Sequence, residues 1–555
     1  MPMLRRVRRR KAEEDRLSAL PDDLIRVIIN NLDTRTALST ALLARRWAHI
    51  PHELPALDLR VSDILPPQHN RTVALRQGGL PRDEATATML DALMSRCESL
   101  AMRALVDGVT NLIILPMPLP AQEEEEEGGR RTKTLRLEFF QTSDDAVNRL
   151  IAAAVGAWGV TELEVVVLRS YRNNDIQAPP VVYSLFFPDD NDCLLKSRIR
   201  SLTLGNHCSA LPPDLHSYGA LTELVLRDMP ASTPLDVYQK VLNECTRLQV
   251  LHLTSCRCTE TRLDDSIVVL DAPASQLREL VLEECSFMVL DLRDLPMLAR
   301  LACRLTNTWR IKFGSLPRLT HTNLTFNQED FVSEYNDRFD QFLDVSPTMA
   351  NLIVRLDGIK RWIGPKPPDK PMIHLRRLLV GNLPLNWDIS WPRGLLMTAS
   401  SLEVLHIHVP RSEEAEPEYR YGVLLVGFWE SHAPLRLRHH CLKELVMFGF
   451  QQRHTVFLKY VVSVCTSLRR VVLRKDGHVR YNGLWDWEMV VQQACLWSDE
   501  DEMQIREDTN SPTQFRRPQI FNWKPSDSFI HGRKSATVCD QTAFLTAAGN
   551  RDGSR

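Results

Sequence analysis

The chain has 555 residues, of which 44% are hydrophobic and 25% are charged, and its formal net charge is −2 at pH 7. This is the composition of an ordinary soluble protein of several domains, and its balanced, interspersed charge argues against a nucleic-acid partner. No apolar run approaches the roughly 20 residues that a membrane helix needs, so no membrane partner is expected. The 12 Cys are scattered, which is typical of reduced thiols in a nuclear or cytoplasmic compartment.

The first residues are basic and contain the stretch "RRVRRRK". No apolar segment follows, so this is not a secretory signal. Residues 1–15 are expected to form a disordered basic tail, and the alternative is a nuclear import signal.

Two amphipathic runs follow in "LPDDLIRVIINNLDTRTALSTALLARRW", residues 20–47. Pro21 suits the first position of a helix, apolar residues then recur at helical spacing, and Asp33 or Thr34 can cap a second helix. A unit of about 40 residues buries too little surface to be stable alone. These helices therefore either pack on the rest of the chain or present an apolar patch to another protein.

The elements "LPDDLI", "DT" and "LLARRW" of this stretch resemble the F-box of plant F-box proteins, over about residues 16–55. Asp33 stands where that family usually has Pro, and Ala44 where it usually has Ser. The resemblance implies a three-helix module that docks on a Skp-type adaptor and through it on a cullin. The residues expected to contact the adaptor are Leu20, Pro21, Leu24, Ile25, Ile28, Leu32, Leu42 and Trp47.

Residues 56–130 are expected to hold a linker and a first, irregular repeat region. Residues 66–82 are polar and turn-rich, which predicts the linker itself. The segment "PMPLPAQEEEEEGGRR", residues 116–131, has the composition of a solvated flexible loop, and an acidic docking tract is the alternative.

A pattern L-x-x-L-x-L recurs through the remainder of the chain. Its second and third apolar residues are two apart and face the same side of a strand, whereas a helix favours spacings of four or seven. Most neighbouring starts are 26–29 residues apart, within the range of a leucine-rich repeat, although the step from Leu402 to Leu442 is 40. Weaker copies at Leu298, Leu319 and Met349 fill the gap between Leu277 and Leu375. The clear copies begin at Leu221, Leu248, Leu277, Leu375, Leu402, Leu442 and Leu468.

One repeat cannot bury its own apolar side, but stacked repeats share a continuous core. The expected fold class is therefore α/β: a small N-terminal three-helix F-box, then an irregular leucine-rich-repeat solenoid over residues 131–476. The solenoid is expected to be curved, with parallel strands on its concave face, and the array resembles the repeats of plant F-box proteins. A β-rich domain with incidental Leu spacing is the alternative. Side chains expected in the core include Leu224, Leu226, Leu251, Leu253, Leu280 and Leu282.

The residues that alternate with these leucines point outward, so they form the predicted target-binding surface. That surface is expected to be acidic in its middle and basic at its last repeat, which favours a partner with complementary charge. A merely solvated strand face is the alternative. The predicted target-binding residues are Glu223, Arg227, His252, Glu279, Glu283, Arg470 and Arg474.

The segment 477–498 carries Trp485 and Trp487 beside apolar residues. It is predicted to cap the exposed end of the array, as repeat proteins require. Residues 499–555 are polar and lack periodicity, so a disordered tail is expected. The alternative place for target contact is a Pro-rich loop at 364–371.

The sequence offers no candidate for catalysis, for a metal or for a cofactor. It has neither a G-x-x-x-x-G-K-[ST] nor a G-x-G-x-x-G loop, and no spacing ties His, Ser and Asp into a triad. Cys256 and Cys258 lack a second pair at zinc spacing, and the "HHC" run before the strand at Leu442 is expected to bury Cys441. Two further residues are expected on a strand surface: His406 and His408.

Together the motifs predict a non-catalytic substrate-recognition subunit of a Skp–cullin–F-box ubiquitin ligase. The resemblance implies that the F-box binds the adaptor, while the repeats hold a target protein and raise its effective concentration near the conjugating enzyme. The alternative is a leucine-rich-repeat scaffold without a ligase role, in which the F-box-like helices only cap the array. The two differ in whether the apolar face of residues 20–47 is exposed or buried on the repeats.

Overall fold

A single long parallel sheet organises the chain in the computed structural model, which is described here over parts of the sequence. The described residues are 20–40, 54–77, 84–114, 132–140, 146–156, 158–168, 198–205, 219–229, 233–257, 267–287, 289–305, 310–327, 348–357, 371–383, 396–410, 438–491 and 519–520.

Helices occupy the N-terminal region and the spaces between some strands. They are α1 (Asp22–Asn30), α2 (Thr34–Thr40), α3 (Pro67–Gln77), α4 (Glu84–Ile114), α5 (Ala146–Gly156), α6 (Asp236–Glu244) and α7 (Thr455–Val464). None of these helices is long and apolar enough to span a membrane in the described part of the chain.

The strands are short and mostly follow the L-x-x-L-x-L copies. They are β1 (Ala56–Arg60), β2 (Thr134–Phe140), β3 (Glu162–Leu168), β4 (Ser201–Gly205), β5 (Glu223–Arg227), β6 (Val250–Thr254), β7 (Ile267–Leu270), β8 (Glu279–Cys285), β9 (Val289–Asp294), β10 (Arg300–Leu305), β11 (Arg310–Ser315), β12 (His321–Asn327), β13 (Asn351–Asp357), β14 (Arg377–Gly381), β15 (Val404–His408), β16 (Glu444–Phe448), β17 (Arg470–Arg474), β18 (His478–Asn482), β19 (Asp486–Val490) and β20 (Gln519–Ile520).

The main sheet has 15 strands in the order β1-β2-β3-β4-β5-β6-β8-β10-β12-β13-β14-β15-β16-β17-β20, and its neighbours are parallel. Parallel neighbours need a crossover, so the chain returns to the same edge before each new strand. A second parallel sheet, β11-β9-β7, lies in the crossovers of the middle strands, and β18 and β19 form an antiparallel hairpin. The predicted α/β class is confirmed.

The register stacks each repeat on its neighbour. Leu224 pairs with Leu251 and Leu251 with Leu280, and Leu226, Leu253 and Leu282 form the next row. All six side chains are at most 2% exposed, so the predicted burial is confirmed. The inward side chains form one cluster from α1 to β12 and another from β13 to β17.

The same sharp corner ends several strands. Its residue has a left-handed backbone, with φ between 51° and 70°, and the next side chain is buried. This conformation is uncommon outside Gly, and Asp and Asn tolerate it better than most residues. The corner residues are Asp228, Ser255, Glu284, Asn382 and Gly449.

After two of these corners, a cysteine thiol forms a hydrogen bond with the backbone of the preceding repeat. Cys256 Sγ donates to the carbonyl of Leu226 at 3.7 Å, and Cys285 Sγ donates to that of Leu253 at 3.4 Å. A thiol is a weak hydrogen-bond donor. Each cysteine side chain therefore contributes mainly by filling the corner, while its hydrogen bond gives the facing carbonyl a partner.

The N-terminal helices pack on the first strand. The backbone N–H of Asp58 on β1 donates to Thr34 Oγ1 at 2.8 Å. Asp33 caps α2 as predicted, accepting from the Thr36 N–H at 2.9 Å, and the hydrogen bonds from Thr36 lower the pKa of its carboxyl group. Ile25 and Ile29 of α1 belong to the same buried cluster as the strand leucines.

Three segments differ from expectation. Residues 67–77 form helix α3, although their polar, turn-rich composition predicted a linker, and the 31-residue helix α4 follows where an irregular repeat was expected. In the predicted disordered tail, Gln519 and Ile520 pair with Arg470 and Val471 of β17. The predicted basic tail 1–15, acidic loop 116–131 and loop 364–371 lie outside the described residues, apart from the end of that last segment.

Candidate interaction surfaces

Helix α1 divides its apolar residues between two sides. Ile25 and Ile29 are spaced by one turn and are buried against the array. The remaining apolar residues of this segment fall on a different side because of the helical period, and no part of the described chain covers them. This exposed α1 stripe consists of Leu24, Val27, Ile28 and Leu32.

The predicted adaptor-contact residues therefore do not all share one surface. Leu24, Ile28 and Leu32 lie on the exposed α1 stripe, and Pro21 is also exposed. Ile25 was grouped with them, but it is only 2% exposed and serves the core instead, while Leu20 is half-buried against that core. Leu42 and Trp47 lie outside the described residues.

A second surface runs along the main sheet and is called the outward face. It consists of the side chains that alternate with the buried leucines. Its central row, one residue per strand from β5 to β17, is Val225, His252, Val281, Ala302, Asn323, Ile353, Leu379, His406, Val446 and Val472.

The register brings five of the predicted target-binding residues together. Glu223 and Glu279 flank Val250 in one row, Arg227 and Glu283 flank Thr254 in another, and His252 lies between these rows. Arg470 and Arg474 lie on β17, seven strands beyond β8. At about 4.8 Å per strand, this separation exceeds 30 Å, so the two groups cannot act as one contact.

Ion pairs between strands neutralise part of the charge near the first group. Glu279 accepts from Arg300 at 2.7 Å and contacts His252 Nε2 at 3.1 Å. Glu164 lies between Arg136, at 3.3 Å, and Arg227, at 3.2 Å. The predicted acidic middle is therefore not a bare acidic patch, and Glu279 itself is buried.

The hairpin of β18 and β19 lies across the outward face of the later strands. Trp487 is 4% exposed and packs with Ile353 and Leu379. Its indole Nε1 donates to His406 Nδ1 at 2.8 Å. The half-buried Met489 and Val491 continue the contact over the outward side chains of β16 and β17. The described part of the segment that was predicted to cap the end of the array thus lies across the outward face instead.

Arginines of the outward face hold the aromatic rings of the hairpin. The Arg377 guanidinium lies 4.4 Å from the centre of the Trp487 ring and donates to Asp486 at 3.0 Å. Arg355 lies 3.9 Å from the centre of the Tyr481 ring. Such stacking is worth about 0.5–2 kcal/mol per pair, depending on desolvation.

The turn of the hairpin, between β18 and β19, is also anchored. Asn323 Nδ2 donates to the Leu484 carbonyl at 2.8 Å, and the Arg300 guanidinium lies 5.7 Å from the centre of the Trp485 ring. The hairpin therefore reaches back as far as β10, and strands β2 to β8 carry the part of the outward face that it does not contact in the described residues.

The two arginines of the last repeat differ in accessibility. Arg470 is exposed and donates to Glu444 at 3.1 Å. Glu444 also accepts from His406, and this hydrogen bond, together with the charge of Arg470, lowers the pKa of the Glu444 carboxyl group. Arg474 is buried, and burial lowers the pKa of its guanidinium group. The prediction that Arg474 is a surface contact is therefore wrong.

Histidines and cysteines near the later strands also depart from expectation. His408 was expected on the surface but is buried, and burial lowers its pKa. Cys441 was expected in the core but is half-exposed, and the buried residue of that run is His439. Among the described residues, no group of three or more His, Cys, Asp or Glu is placed to hold a metal ion.

Comparison with known proteins bears on the identity of the chain. No protein-family model matches it. A putative F-box protein of Arabidopsis thaliana is 40% identical over 57 residues, which are 10% of this chain and 12% of that protein. An F-box/FBD/LRR-repeat protein of the same plant is 47% identical over 47 residues, 8% of this chain and 11% of its own.

Over this short segment, the chain is similar to F-box proteins. A further F-box protein of Arabidopsis thaliana, 32% identical over 60 residues, covers 11% of the chain and 20% of its own length. The chain thus spans at most a fifth of the length of these F-box relatives. The predicted resemblance is confirmed at the level of the F-box family.

Sequence reasoning missed several residues of the two candidate surfaces. Val27 is the most exposed apolar residue of α1. Its place directly before Ile28, which was predicted to contact the adaptor, was the sequence signal that could have included it in the same surface. Arg300, Arg355 and Arg377 occupy outward positions of weaker or charged L-x-x-L-x-L copies, so the strand alternation already implied their direction. The hairpin that lies over them carried no local signal of its docking site.

Proposed function

We propose that this F-box protein is the substrate-recognition subunit of a Skp–cullin–F-box ubiquitin ligase. The observation that carries the proposal is the exposed α1 stripe. Leu24, Val27, Ile28 and Leu32 stay uncovered by the described chain, although the neighbouring Ile25 is buried. An apolar surface beside a well-packed core favours a protein partner, and the Skp-type adaptor, with its cullin, is the partner that the F-box resemblance implies.

The domain arrangement that accompanies this function extends the α/β fold. Residues 16–55 form the three-helix F-box, and residues 131–476 form an irregular leucine-rich-repeat solenoid. The parallel strands in chain order and the recurring left-handed corner support the solenoid. Because β1 pairs with β2, the array extends back to Ala56, and the hairpin of residues 478–490 lies across the outward face.

The protein acts by tethering and takes no part in the chemistry. The F-box holds the adaptor, the outward face of β2 to β8 holds the target, and proximity raises the effective concentration of target lysines near the conjugating enzyme. Ile25 and Ile29 fix α1 to the same core that supports the strands. The distance between the two partners is therefore set by packing. The site of action is nuclear or cytoplasmic, as the reduced thiols suggest.

The test compares two exposed valines on helices. Val27 on α1 is 58% exposed and Val456 on α7 is 66% exposed. Val27→Asp places a charge where the adaptor docks, so the affinity for a purified Skp-type adaptor, measured by calorimetry, is expected to fall by about tenfold or more. Val456→Asp is the matched control and retains wild-type affinity. Equal binding by the wild type and Val27→Asp would contradict docking at this stripe.

The second candidate is a leucine-rich-repeat scaffold without a ligase role. The burial of Ile25, Ile29 and Ala37 on the array favours it, because these contacts are what a simple N-terminal cap makes. The scaffold predicts that the wild-type chain does not bind a Skp-type adaptor at all, so the same calorimetric experiment separates the two functions.

A further inference from the structure

The turn of the β18–β19 hairpin begins with the pair Asn482-Gly483, and the sequence contains no other Asn-Gly pair. Asn482 ends β18 opposite Asp486, and Gly483 follows with a left-handed backbone, at a φ of 73°. Glycine takes this conformation without strain, which is why it suits the turn. The absence of a side chain also leaves the backbone nitrogen of Gly483 open to its neighbour.

The side-chain amide of Asn482 and the backbone N–H of Gly483 are free to react with each other. Both residues are exposed, and neither of these groups forms a hydrogen bond with the part of the chain that the structure describes. Apart from the adjoining residues, no described atom lies within 4 Å of where a Cβ of residue 483 would be. The Gly483 nitrogen can therefore approach Cγ of Asn482 without obstruction.

We infer that Asn482 is a site of spontaneous deamidation and that its modification loosens the hairpin from the outward face. The reaction needs no enzyme or cofactor, because both reacting groups belong to the chain and water is the co-reactant. The inference concerns the chemistry of the hairpin and does not depend on the proposed function.

The reaction proceeds through a five-membered imide ring. The Gly483 nitrogen attacks Cγ of Asn482, a bond forms between these two atoms, and the side-chain amide leaves as ammonia with the proton of the Gly483 N–H. Water then opens the ring at one of its two carbonyl carbons. Addition at Cγ breaks the new bond and gives aspartate. Addition at the main-chain carbonyl carbon breaks the original peptide bond and gives isoaspartate, in which the chain continues through Cγ.

The aspartate product places a negative charge at 482 opposite another negative charge. Asp486 is the cross-strand partner of residue 482, and its carboxylate accepts from Arg377 on β14 at 3.0 Å. Like charges directly opposite each other in an antiparallel pair are destabilising. The new carboxylate therefore weakens the hairpin beside the ion pair that joins it to the outward face.

The isoaspartate product lengthens the main chain by one atom at the end of β18. Two contacts of the turn follow directly in the sequence. The Leu484 carbonyl accepts from Asn323 at 2.8 Å, and the centre of the Trp485 ring lies 5.7 Å from the Arg300 guanidinium. The inserted atom shifts the turn relative to both partners, which are fixed on β12 and β10. The hairpin then loses its contacts with the strands that border the uncontacted part of the face.

Ageing of the purified full chain tests the site. The protein is incubated in mildly alkaline buffer at physiological temperature and sampled over several weeks. Mass spectrometry of its digests measures the deamidated fraction at each asparagine, and labelling by an isoaspartyl methyltransferase measures isoaspartate. Asn482 is expected to deamidate about tenfold faster or more than Asn31, an exposed asparagine that precedes Leu32. Gly483→Ala is expected to remove this difference, because its side chain obstructs ring closure.

Trypsin cleavage at Arg480 in the native chain measures the loosening. Asn482→Asp reproduces the first product and is expected to be cut about 1.5- to fivefold faster than the fresh wild type. The aged wild type is expected to be cut faster as its isoaspartate content rises. Asn482→Gln keeps an amide but cannot close a five-membered ring, so it is the matched control and is expected to be cut at its unaged rate after ageing. Circular dichroism checks the fold of each variant.

Three results overturn the inference. The site is wrong if Asn482 deamidates no faster than Asn31, or if Gly483→Ala leaves the rate at Asn482 unchanged. The loosening is wrong if the deamidated protein and Asn482→Asp are both cut at Arg480 at the rate of the fresh wild type. Alanine is strained at the backbone angle of residue 483, and the comparison of aged wild type with aged Asn482→Gln holds even where Gly483→Ala disturbs the turn.

Discussion

Trp487 donates its indole N–H to Nδ1 of His406 over 2.8 Å, across 81 residues of sequence. Because Nδ1 accepts this bond, the imidazole hydrogen lies on Nε2, which donates to Glu444 at 3.0 Å. The two hydrogen bonds therefore select the tautomer of His406 that carries its hydrogen on Nε2. The hairpin is thereby tied to β15 by a direction-specific contact as well as by apolar packing.

Replacing Trp487 separates these two contributions. Trp487→Ala removes a buried ring and is expected to lower the free energy of unfolding by about 3–5 kcal/mol. Trp487→Phe keeps most of the packing but loses the bond to His406, and is expected to cost about 1–2 kcal/mol. Urea denaturation measures both values.

Trypsin gives an independent readout of the same hairpin. Arg480 lies on β18, so loosening the hairpin is expected to speed cleavage there in Trp487→Ala more than in Trp487→Phe. If both variants are cut at the wild-type rate, the hairpin does not depend on Trp487.

Acidification is expected to destabilise the array through two buried histidines, His408 and His439, and the partly buried His321. Burial is the main cause that lowers the pKa values of His439, His408 and His321 below their ordinary value of 6.5. The unfolded chain then binds more protons, so the stability from these residues is full above pH 6.5 and is lost as the pH falls through their folded pKa values. The free energy of unfolding is expected to decrease between pH 7.5 and about 5.5.

The variant His439→Gln tests this source of pH dependence. His439 accepts from the Leu442 N–H at 3.1 Å and bonds the Ala399 carbonyl at 2.9 Å, so only its neutral form fits. The variant is expected to reduce the slope of stability against pH. Its exposed neighbour provides the control, and His440→Gln retains the wild-type slope. An unchanged slope in His439→Gln would assign the pH dependence to other groups.

Truncation of a stacked leucine is expected to lower the free energy of unfolding, and the loss is expected to increase with the burial of the side chain. Leu253→Ala opens a cavity in the cluster shared with β5 and β8 and is expected to cost about 2–5 kcal/mol. Leu75→Ala, at a half-exposed position of α3, is expected to cost less than about 1 kcal/mol. If chemical denaturation gives the same loss of unfolding free energy for Leu253→Ala and Leu75→Ala, the inward row of leucines is not the core.

Thiol labelling of the native chain is expected to follow burial. Burial raises the pKa of Cys245 and of Cys465 to about 12 and raises that of Cys303 further, so these thiols are almost entirely protonated at pH 8. Among the seven cysteines that the structure describes, iodoacetamide is expected to modify the half-exposed Cys97 and Cys441 first. Mass spectrometry of the digested protein measures the order, and early modification of Cys303 would contradict its buried position.

Local periodicity was sufficient to predict the inward rows. Leu224, Leu251 and Leu280 occupy the same place in their copies, and the register joins them as expected. The alternation of a strand also predicted which residues share the outward face. Both predictions depend only on neighbours in sequence, which is why they succeeded.

Long-range contacts explain where sequence reasoning was wrong. Arg474 has an outward position, yet it is buried. Ile25 has the same apolar character as Ile28, and only contact with the array makes one buried and the other exposed. Asn323 and Leu484 meet across 161 residues. No spacing rule reaches that far, so the hairpin was assigned to the end of the array instead of to its face.

The strands of the main sheet keep their register although the connections between them differ greatly in length. Arg300 pairs with His321, 21 residues later, and Val404 pairs with Glu444, 40 residues later. The longer connection between β15 and β16 therefore leaves the residues on the two strands in register. Insertions can therefore accumulate in the connections while Arg227 and its neighbours keep their positions. A reporter domain can be inserted between β15 and β16 for the same reason.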